Sequence, residues 1–268
     1  MNRLPITQVD AFADRPFTGN PAAVMPLETW LLDEVLQAIA EENNVAETAF
    51  FLPIKGDVEA DFELRWFTPA LEVALCGHAT LATGHVILSA DPRRDAVRFR
   101  TRKAGVLTVA RGLDGGYELA LPAYRPEPLP LPAIVAALGL EESAVETFWH
   151  SGGYALVVLK DAAAVRALDP DFRKLGAEGD VLTIATAPGE QTDIVSRVFA
   201  PGAGIDEDPV TGSAHAVLVP WWAERLGRIS FSAWQASKRG GRLACRLAGE
   251  QVVLGGRCTT VIEGYFSL

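Results

Sequence analysis

Arg65-Trp66-Phe67-Thr68-Pro69 and Arg197-Val198-Phe199-Ala200-Pro201 share the pattern Arg-x-Phe-x-Pro at an offset of 132 (197 − 65). The same offset carries Cys76 onto Asp208, and further on it carries Val97 and Phe99 onto Ile229 and Phe231. Gly19-Asn20-Pro21-Ala22-x-Val24 and Gly152-Gly153-Tyr154-Ala155-x-Val157 match at 133 (152 − 19). With only two copies, the repeat describes a duplicated domain and not a solenoid. The expected fold class is α+β, with two pseudo-symmetric halves. If the halves face each other across a pseudo-twofold axis, Cys76 and Asp208 flank one cleft, and function is sought there.

Each half reads as antiparallel strands around one apolar helix. Residues 61–66, 97–100 and 193–199 alternate apolar and polar side chains, the pattern of half-buried strands. Helices are expected near 78–89 and 213–226. The first and the opening part of the second carry almost no charge, and a helix apolar all round belongs in a core. An amphipathic helix is expected near 31–42. Prolines 122, 126, 128, 130 and 132 crowd one stretch that should be extended and semi-rigid. The domain boundary is placed there: a first half at 1–122, a linker at 123–132 and a second half at 133–268, whose last strand is able to pack back on the first.

The 268 residues exceed the usual size of a single core, and 49% hydrophobic with 22% charged is ordinary globular usage. A formal charge of −10 argues against nucleic acid or an anionic membrane as partner, since both reward basic patches. The N-terminal residues lack an apolar signal core, and the apolar stretch around Ala214 to Ala223 is too short for a bilayer, so a cytoplasmic protein is expected. Three cysteines without a CxxC do not make a disulfide framework.

Two helix starts draw the chemical reading. Cys76-Gly77-His78 opens the first apolar helix and Asp208-Pro209-Val210-Thr211-Gly212-Ser213 opens the second. Helix N-termini present unpaired N–H groups and the positive end of the dipole, which suits a carboxylate or a developing enolate. Ser213 also suits an N-cap. Cys76 reads either as a buried small hydrophobe or as a thiol activated by the helix end. Glu47 ends the polar Asn43-Asn44 loop just before the apolar run Thr48 to Leu52; it is either a surface acid or a partly desolvated general base. Gly202-x-Gly204 lacks a third glycine, because position 207 is Glu207, so no dinucleotide fingerprint exists. Ser213 lacks the glycines of a nucleophile elbow. Cys76, His78, His85 and His215 fit no common zinc spacing, so no metal is expected.

These stretches together resemble the phenazine biosynthesis PhzF-like family, within the diaminopimelate epimerase-like superfamily. The resemblance runs through Val9-Asp10-Ala11-Phe12, Gly19 to Val24, Glu47-Thr48-Ala49-Phe50, Arg65 to Pro69, Cys76 to Thr80, and Phe199 to Ala214, the last being the strongest mark. It implies two halves, each a sheet wrapped around a central helix, and a homodimer. It also implies a cofactor-independent isomerase that moves a proton within a small carboxylated metabolite. Glu47 is then the acid/base, with His78 and Asp208 assisting, and Asn20, Cys76, Gly77, Gly152, Gly153, Gly212 and Ser213 around the substrate. Cys76 before Gly-His is also similar to proline racemase and epimerase branches, in which two opposed thiols exchange a proton. Asp208 is expected where the second thiol would stand, which disfavours a two-cysteine racemase but leaves a one-thiol racemase or epimerase open. A third reading is a small-ligand-binding protein without turnover.

Overall fold

The structure is a computed structural model and describes residues 3–112 and 114–268. The chain forms two compact units, one built from the chain up to Leu121 together with Val253–Leu268, the other from Pro122–Val252.

The first unit runs β1 (Arg3–Ala11), β2 (Asn20–Pro26), α1 (Asp33–Asn43), β3 (Glu47–Pro53), β4 (Phe62–Phe67), β5 (Glu72–Val73), α2 (Gly77–Ala90), β6 (Ala96–Thr101), β7 (Val106–Arg111) and β8 (Tyr117–Pro122). β1 and β2 are antiparallel, β2 and β3 parallel, and β3 and β4 antiparallel. β4 pairs antiparallel with the short β5 and parallel with β6, after which β6, β7 and β8 form a meander. The strands wrap α2, which touches β1, β2, β3, β6 and β7. No Asp, Glu, Lys or Arg interrupts α2, and every residue from Gly77 to Gly84 is buried. Gly84 permits the closest approach, since a Cβ there would stand 2.4 Å from Val109 Cγ1. α1 covers the outside, inserting Leu36 and Ile39 among Met25, Phe50 and Phe67. It stops where Asn44 turns left-handed at φ 48°, a conformation asparagine tolerates better than most residues.

The second unit runs β9 (Glu127–Pro128), α3 (Pro132–Ala137), β10 (Glu146–His150), β11 (Tyr154–Val158), α4 (Ala162–Arg166), α5 (Phe172–Ala177), β12 (Leu182–Pro188), β13 (Ile194–Ala200), β14 (Ile205–Asp208), α6 (Gly212–Leu226), β15 (Ser230–Gln235) and β16 (Gly241–Ala248); the chain returns to the first unit within β17 (Gln251–Gly256), before β18 (Cys258–Ser267). β10 to β16 repeat the pairing order of β1 to β7: antiparallel, parallel, antiparallel, then a short antiparallel arm and a parallel crossover. α6 packs on β16, and its Trp222 indole N–H donates to Thr186 Oγ1 of β12 at 3.1 Å. Residues 123–132 are not a free linker. They lie in the second unit, where β9 pairs with β10 and the Tyr124 N–H donates to the Ala216 carbonyl at 2.9 Å. β18 pairs antiparallel with β1 in the first unit.

The repeat holds, but its offset is not constant. Arg65 clamps Glu72 at 2.8 and 2.9 Å, and Arg197 clamps Glu207 at 2.7 and 2.9 Å in the same two-pronged manner. The arginines are 132 apart, whereas the glutamates are 135 apart (207 − 72). Three extra residues therefore lie in the second copy's turn, which contains the short 3-10 helix Pro201–Ala203. Downstream, Gly77 and Gly212 open the two helices at the same 135. Cys76 thus corresponds to Thr211, not to Asp208, and each is its helix's N-cap residue. Ser213 is inside the helix and not its cap. Phe99 likewise corresponds to Ala233, since β4 and β6 pair Phe62 with Phe99 while β13 and β15 pair Ile194 with Ala233. Ile229, matched to Val97 at the start of a strand pattern by the constant offset, precedes β15 and is exposed.

Candidate active site

In the first unit the fold gathers Asn20, Glu47, Cys76, Gly77 and His78, all buried. Glu47 is the first residue of β3, directly after the turn that ends α1. His78 is the second residue of α2, and its Nε2 lies 2.9 Å from Glu47 Oε2. That contact is not aligned as a hydrogen bond, and it reads as a close charge contact. Cys76 Sγ stands 3.5 Å from His78 Nδ1 and 4.0 Å from Nε2. Asn20 Nδ2 stands 3.1 Å from Nδ1. The local sequence explains Asn20's place. Gly19 adopts φ +66°, and a Cβ there would come within 2.2 Å of the Ala11 carbonyl oxygen, so only glycine lets the chain turn this tightly into β2.

The electrostatics of this group are coupled. Burial first and the Glu47 charge second lift the Cys76 thiol to about 11, against the opposing pull of His78. At neutral pH it is a protonated thiol. Burial opposes a charged His78, but Cys76 and Glu47 beside it outweigh that and hold the ring well above the ordinary histidine range. Since the thiol is uncharged at neutral pH, the physical support for that direction comes from the Glu47 carboxylate.

The second unit builds a different helix start. Asp208 ends β14 and accepts a hydrogen bond from Thr211 Oγ1. Gln235, at the end of β15, donates to the Asp208 carbonyl at 2.8 Å and accepts from the Thr211 N–H at 2.8 Å. The Asp208 turn is thereby fixed against the sheet. Gly212 and Ser213 follow as the first two residues of α6. Gly153, at φ +84°, and Gly152 form the β10–β11 turn, where the Gly152 N–H donates to His150 Nδ1 at 3.1 Å. A Cβ on Gly152 would meet Tyr154 Cε2 at 3.0 Å. Tyr154 hydrogen-bonds Ser213, and burial raises its phenol to about 12, so the hydroxyl stays protonated. The Gly152-Gly153 turn and the α6 start are thus joined through Tyr154.

Among the described residues, Glu47, Cys76 and His78 bring one ligand atom each within 4.8 Å of one another, close enough to consider a metal ion. The donor chemistry argues otherwise. A thiolate and a neutral imidazole are what a metal takes, whereas here the thiol holds its proton and the ring is biased toward taking one. The arrangement reads as an acid–base group. The other cysteines do not complement Cys76: Cys245 and Cys258 sit in β16 and β18, and burial raises both thiols.

Thr211, Gln235 and Tyr154 were not among the residues expected at the site. Gln235 had a legible signal, because the inward series Phe231, Ala233, Gln235 in β15 places an amide where alternation calls for an apolar side chain. Tyr154 had none, since a tyrosine at a strand start reads as core.

Comparison with known proteins agrees with this architecture. The sequence profile of the phenazine biosynthesis-like protein family, PhzC-PhzF, matches residues 9–264. The chain is 48% identical over 267 residues to a Pseudomonas aeruginosa protein described as an uncharacterized isomerase, covering 99% of each. A PhzF-family crystal structure from Enterococcus faecalis superposes with a TM-score of 0.89 at 42% identity, covering 100% of both chains. A hydroxyproline epimerase from Agrobacterium vitis shares the fold at a TM-score of 0.66 and 12% identity, covering 98% of this chain and 92% of that one. The fold is that of the diaminopimelate and proline epimerases, and the chain belongs to the phenazine biosynthesis-like PhzC-PhzF family.

Proposed function

We propose that the protein is an isomerase that moves a proton within a small carboxylated metabolite, with Glu47 as the acid/base and without metal or organic cofactor. The observation that carries this reading is the buried Glu47–His78 contact at 2.9 Å at the start of α2. A carboxylate can take a proton from one atom of a substrate and return it to another, serving as base and then as acid. His78 places an N–H donor beside it. In the second unit, Gly212 and Ser213 present helix N-terminal donors of the kind that suit a carboxylate, beside Asp208. A ligand-binding protein without turnover has no need of an acid–base group buried at a helix end.

A two-thiol racemase finds no support in the repeat. Cys76 corresponds to Thr211, so the second copy offers a hydroxyl at the position where a paired thiol would stand.

The experiment is deuterium wash-in. Candidate carboxylic acids are incubated with the protein in heavy water and followed by NMR. One of them should gain deuterium or shift its double bond, and Glu47→Gln should slow that reaction about 10³-fold while keeping the thermal midpoint of the fold. Glu47→Gln turning over at close to the normal rate would remove Glu47 from the mechanism.

A further inference from the structure

Two positions near the central helix starts change together between the copies. β4 pairs Trp66 with Val73 where β13 pairs Val198 with Asp208, so Val73 and Asp208 are equivalent, 135 apart (208 − 73). β4 pairs Leu64 with Thr101 where β13 pairs Ser196 with Gln235, so Thr101 and Gln235 are equivalent, 134 apart (235 − 101). The first copy thus has a valine and a threonine where the second has a carboxylate and an amide. Thr101 serves only its own turn, its hydroxyl donating to the Gly105 carbonyl at 2.9 Å. We propose that Gln235 is a positioning residue for Asp208: it turns the Thr211 hydroxyl onto the Asp208 carboxylate and so fixes that side chain beside the α6 donors. The inference rests on the proposed function, which puts Asp208 next to the donors for a substrate carboxylate, and it names what holds Asp208 there.

Backbone groups on both sides fix the orientation of the Gln235 amide. The Thr211 N–H only donates, so the atom facing it at 2.8 Å is Oε1; the Asp208 carbonyl only accepts, so the atom facing it at 2.8 Å is Nε2. An amide turned over would set donor against donor and acceptor against acceptor. The second proton of Nε2 falls to Thr211 Oγ1, 3.1 Å away. Having accepted from the amide, the hydroxyl has one proton to give, and Asp208 Oδ2 takes it. With the His215 ring on the Thr211 carbonyl, every polar group of Thr211 is engaged within the second unit. Gln235 is fully buried and Asp208 and Thr211 are nearly so, which leaves little room for water to do the work of the amide. Val73 in the first copy carries no charge to orient, and no amide stands opposite it.

The direction of the hydroxyl is read by NMR on the whole protein, with no substrate present. The Thr211 hydroxyl proton is identified by its loss in Thr211→Val. In the wild type it should show a nuclear Overhauser contact to the Asp208 β-protons, and the Gln235 side-chain amide protons should exchange with water at least about 10²-fold more slowly than those of free glutamine. Gln235→Glu keeps the size and the acceptor for the Thr211 N–H but removes both donors, so the new carboxylate competes for the hydroxyl and the contact to Asp208 should fall by about half or more. A residue that only fills space would leave that contact unchanged in Gln235→Glu, and this outcome overturns the proposal. So does a wild-type hydroxyl without the Asp208 contact, or a Gln235 amide that exchanges like the free one. The wild-type spectrum alone can overturn it, so a variant that fails to fold gives no shelter. Because no turnover enters the measurement, a negative result leaves the proposed function to be judged by Glu47→Gln, and the reverse also holds.

Discussion

The two central helices begin alike and end in different chemistry. Both follow a two-pronged Arg–Glu clamp and a short antiparallel arm, and both open on a glycine, at Gly77 and Gly212. Behind the first glycine stands a thiol, and beyond it a histidine in contact with a buried glutamate. Behind the second stands Thr211, beyond it Ser213, and around them an aspartate that accepts from the Thr211 hydroxyl and a glutamine bonded to the backbone of Asp208 and Thr211. One start therefore gathers a thiol, a histidine and a glutamate, and the other a threonine, a glutamine and an aspartate tied into its turn. The same backbone occurs twice, and under the proposed function its side-chain divergence gives proton transfer to the first start and anchoring to the second.

The clamps offer the largest test of that shared scaffold. Arg65 is almost fully buried and answers both Glu72 and Asp33, with the Trp30 and Phe67 rings within about 5 Å of its guanidinium. Arg197 answers one carboxylate, Glu207, and the Leu168 carbonyl at 2.6 Å. Removing Arg197 strands Glu207, whereas removing Arg65 leaves Glu72 with Arg102 at 3.1 Å but empties a buried position; breaking a buried pair is costly where the remaining charge loses its partner. Arg65→Ala should lower unfolding stability by about 3 kcal/mol, and Arg197→Ala by about 2 kcal/mol, since the Arg65 side chain is the more deeply buried of the two. Urea unfolding of the two variants measures both. A null effect at either site would mean that the clamp is a surface ornament there and not part of the common frame.

The second test separates the helices by pH. At equivalent places, 135 apart, Thr80 Oγ1 donates to the Cys76 carbonyl at 2.5 Å, and the His215 ring donates through Nδ1 to the Thr211 carbonyl at 2.8 Å. Only His215 titrates. Burial depresses it to about 4, with the Thr211 bond opposing. A folded value below the unfolded one means that the unfolded chain binds the proton first as pH falls. The associated stability is intact above about pH 6.5, the unfolded value, and is lost as pH falls toward 4. His215→Thr, which makes the second helix resemble the first, should cut the stability lost between about pH 7 and pH 4.5 by about 2 kcal/mol relative to wild type. His78 titrates in both proteins and cancels in the comparison. An unchanged pH dependence would show that His215 does not remain neutral in the fold.

What the sequence discloses follows from the range of each interaction. Alternation in 61–66 and 193–199 and the uncharged run of α2 depend on neighbours within one element, so β4, β13 and α2 are legible with small errors at their ends. The three-residue insertion between Pro201 and Glu207 is not, because a constant offset slides past a longer turn and mates Cys76 with the wrong residue. Glu47 and His78 are legible as candidates through the family motifs. Their contact, and the approach of Asn20 across 58 positions of sequence, depend on how β2, β3 and α2 pack, which no local pattern records.

The smallest expected effect is also the sharpest test of the division between the two helix starts. Cys76→Thr converts the first cap into the second, and threonine is a better N-cap than cysteine, so the fold should survive. If the thiol only fills space beside His78, turnover of whichever acid shows wash-in should fall less than about tenfold, a change of under about 1.4 kcal/mol in transition-state binding. The residual loss would reflect a β-branched side chain crowding the 3.5 Å approach of the sulfur to the ring. The two outcomes are far apart. A general acid or base typically contributes about 10²-fold to 10⁴-fold, so a Cys76→Thr enzyme that is folded yet slowed by that much would identify the thiol as a proton carrier. In that case the helix starts would differ as a racemase with one thiol differs from its two-thiol relatives, and Glu47 would become the partner of Cys76 instead of the sole acid/base.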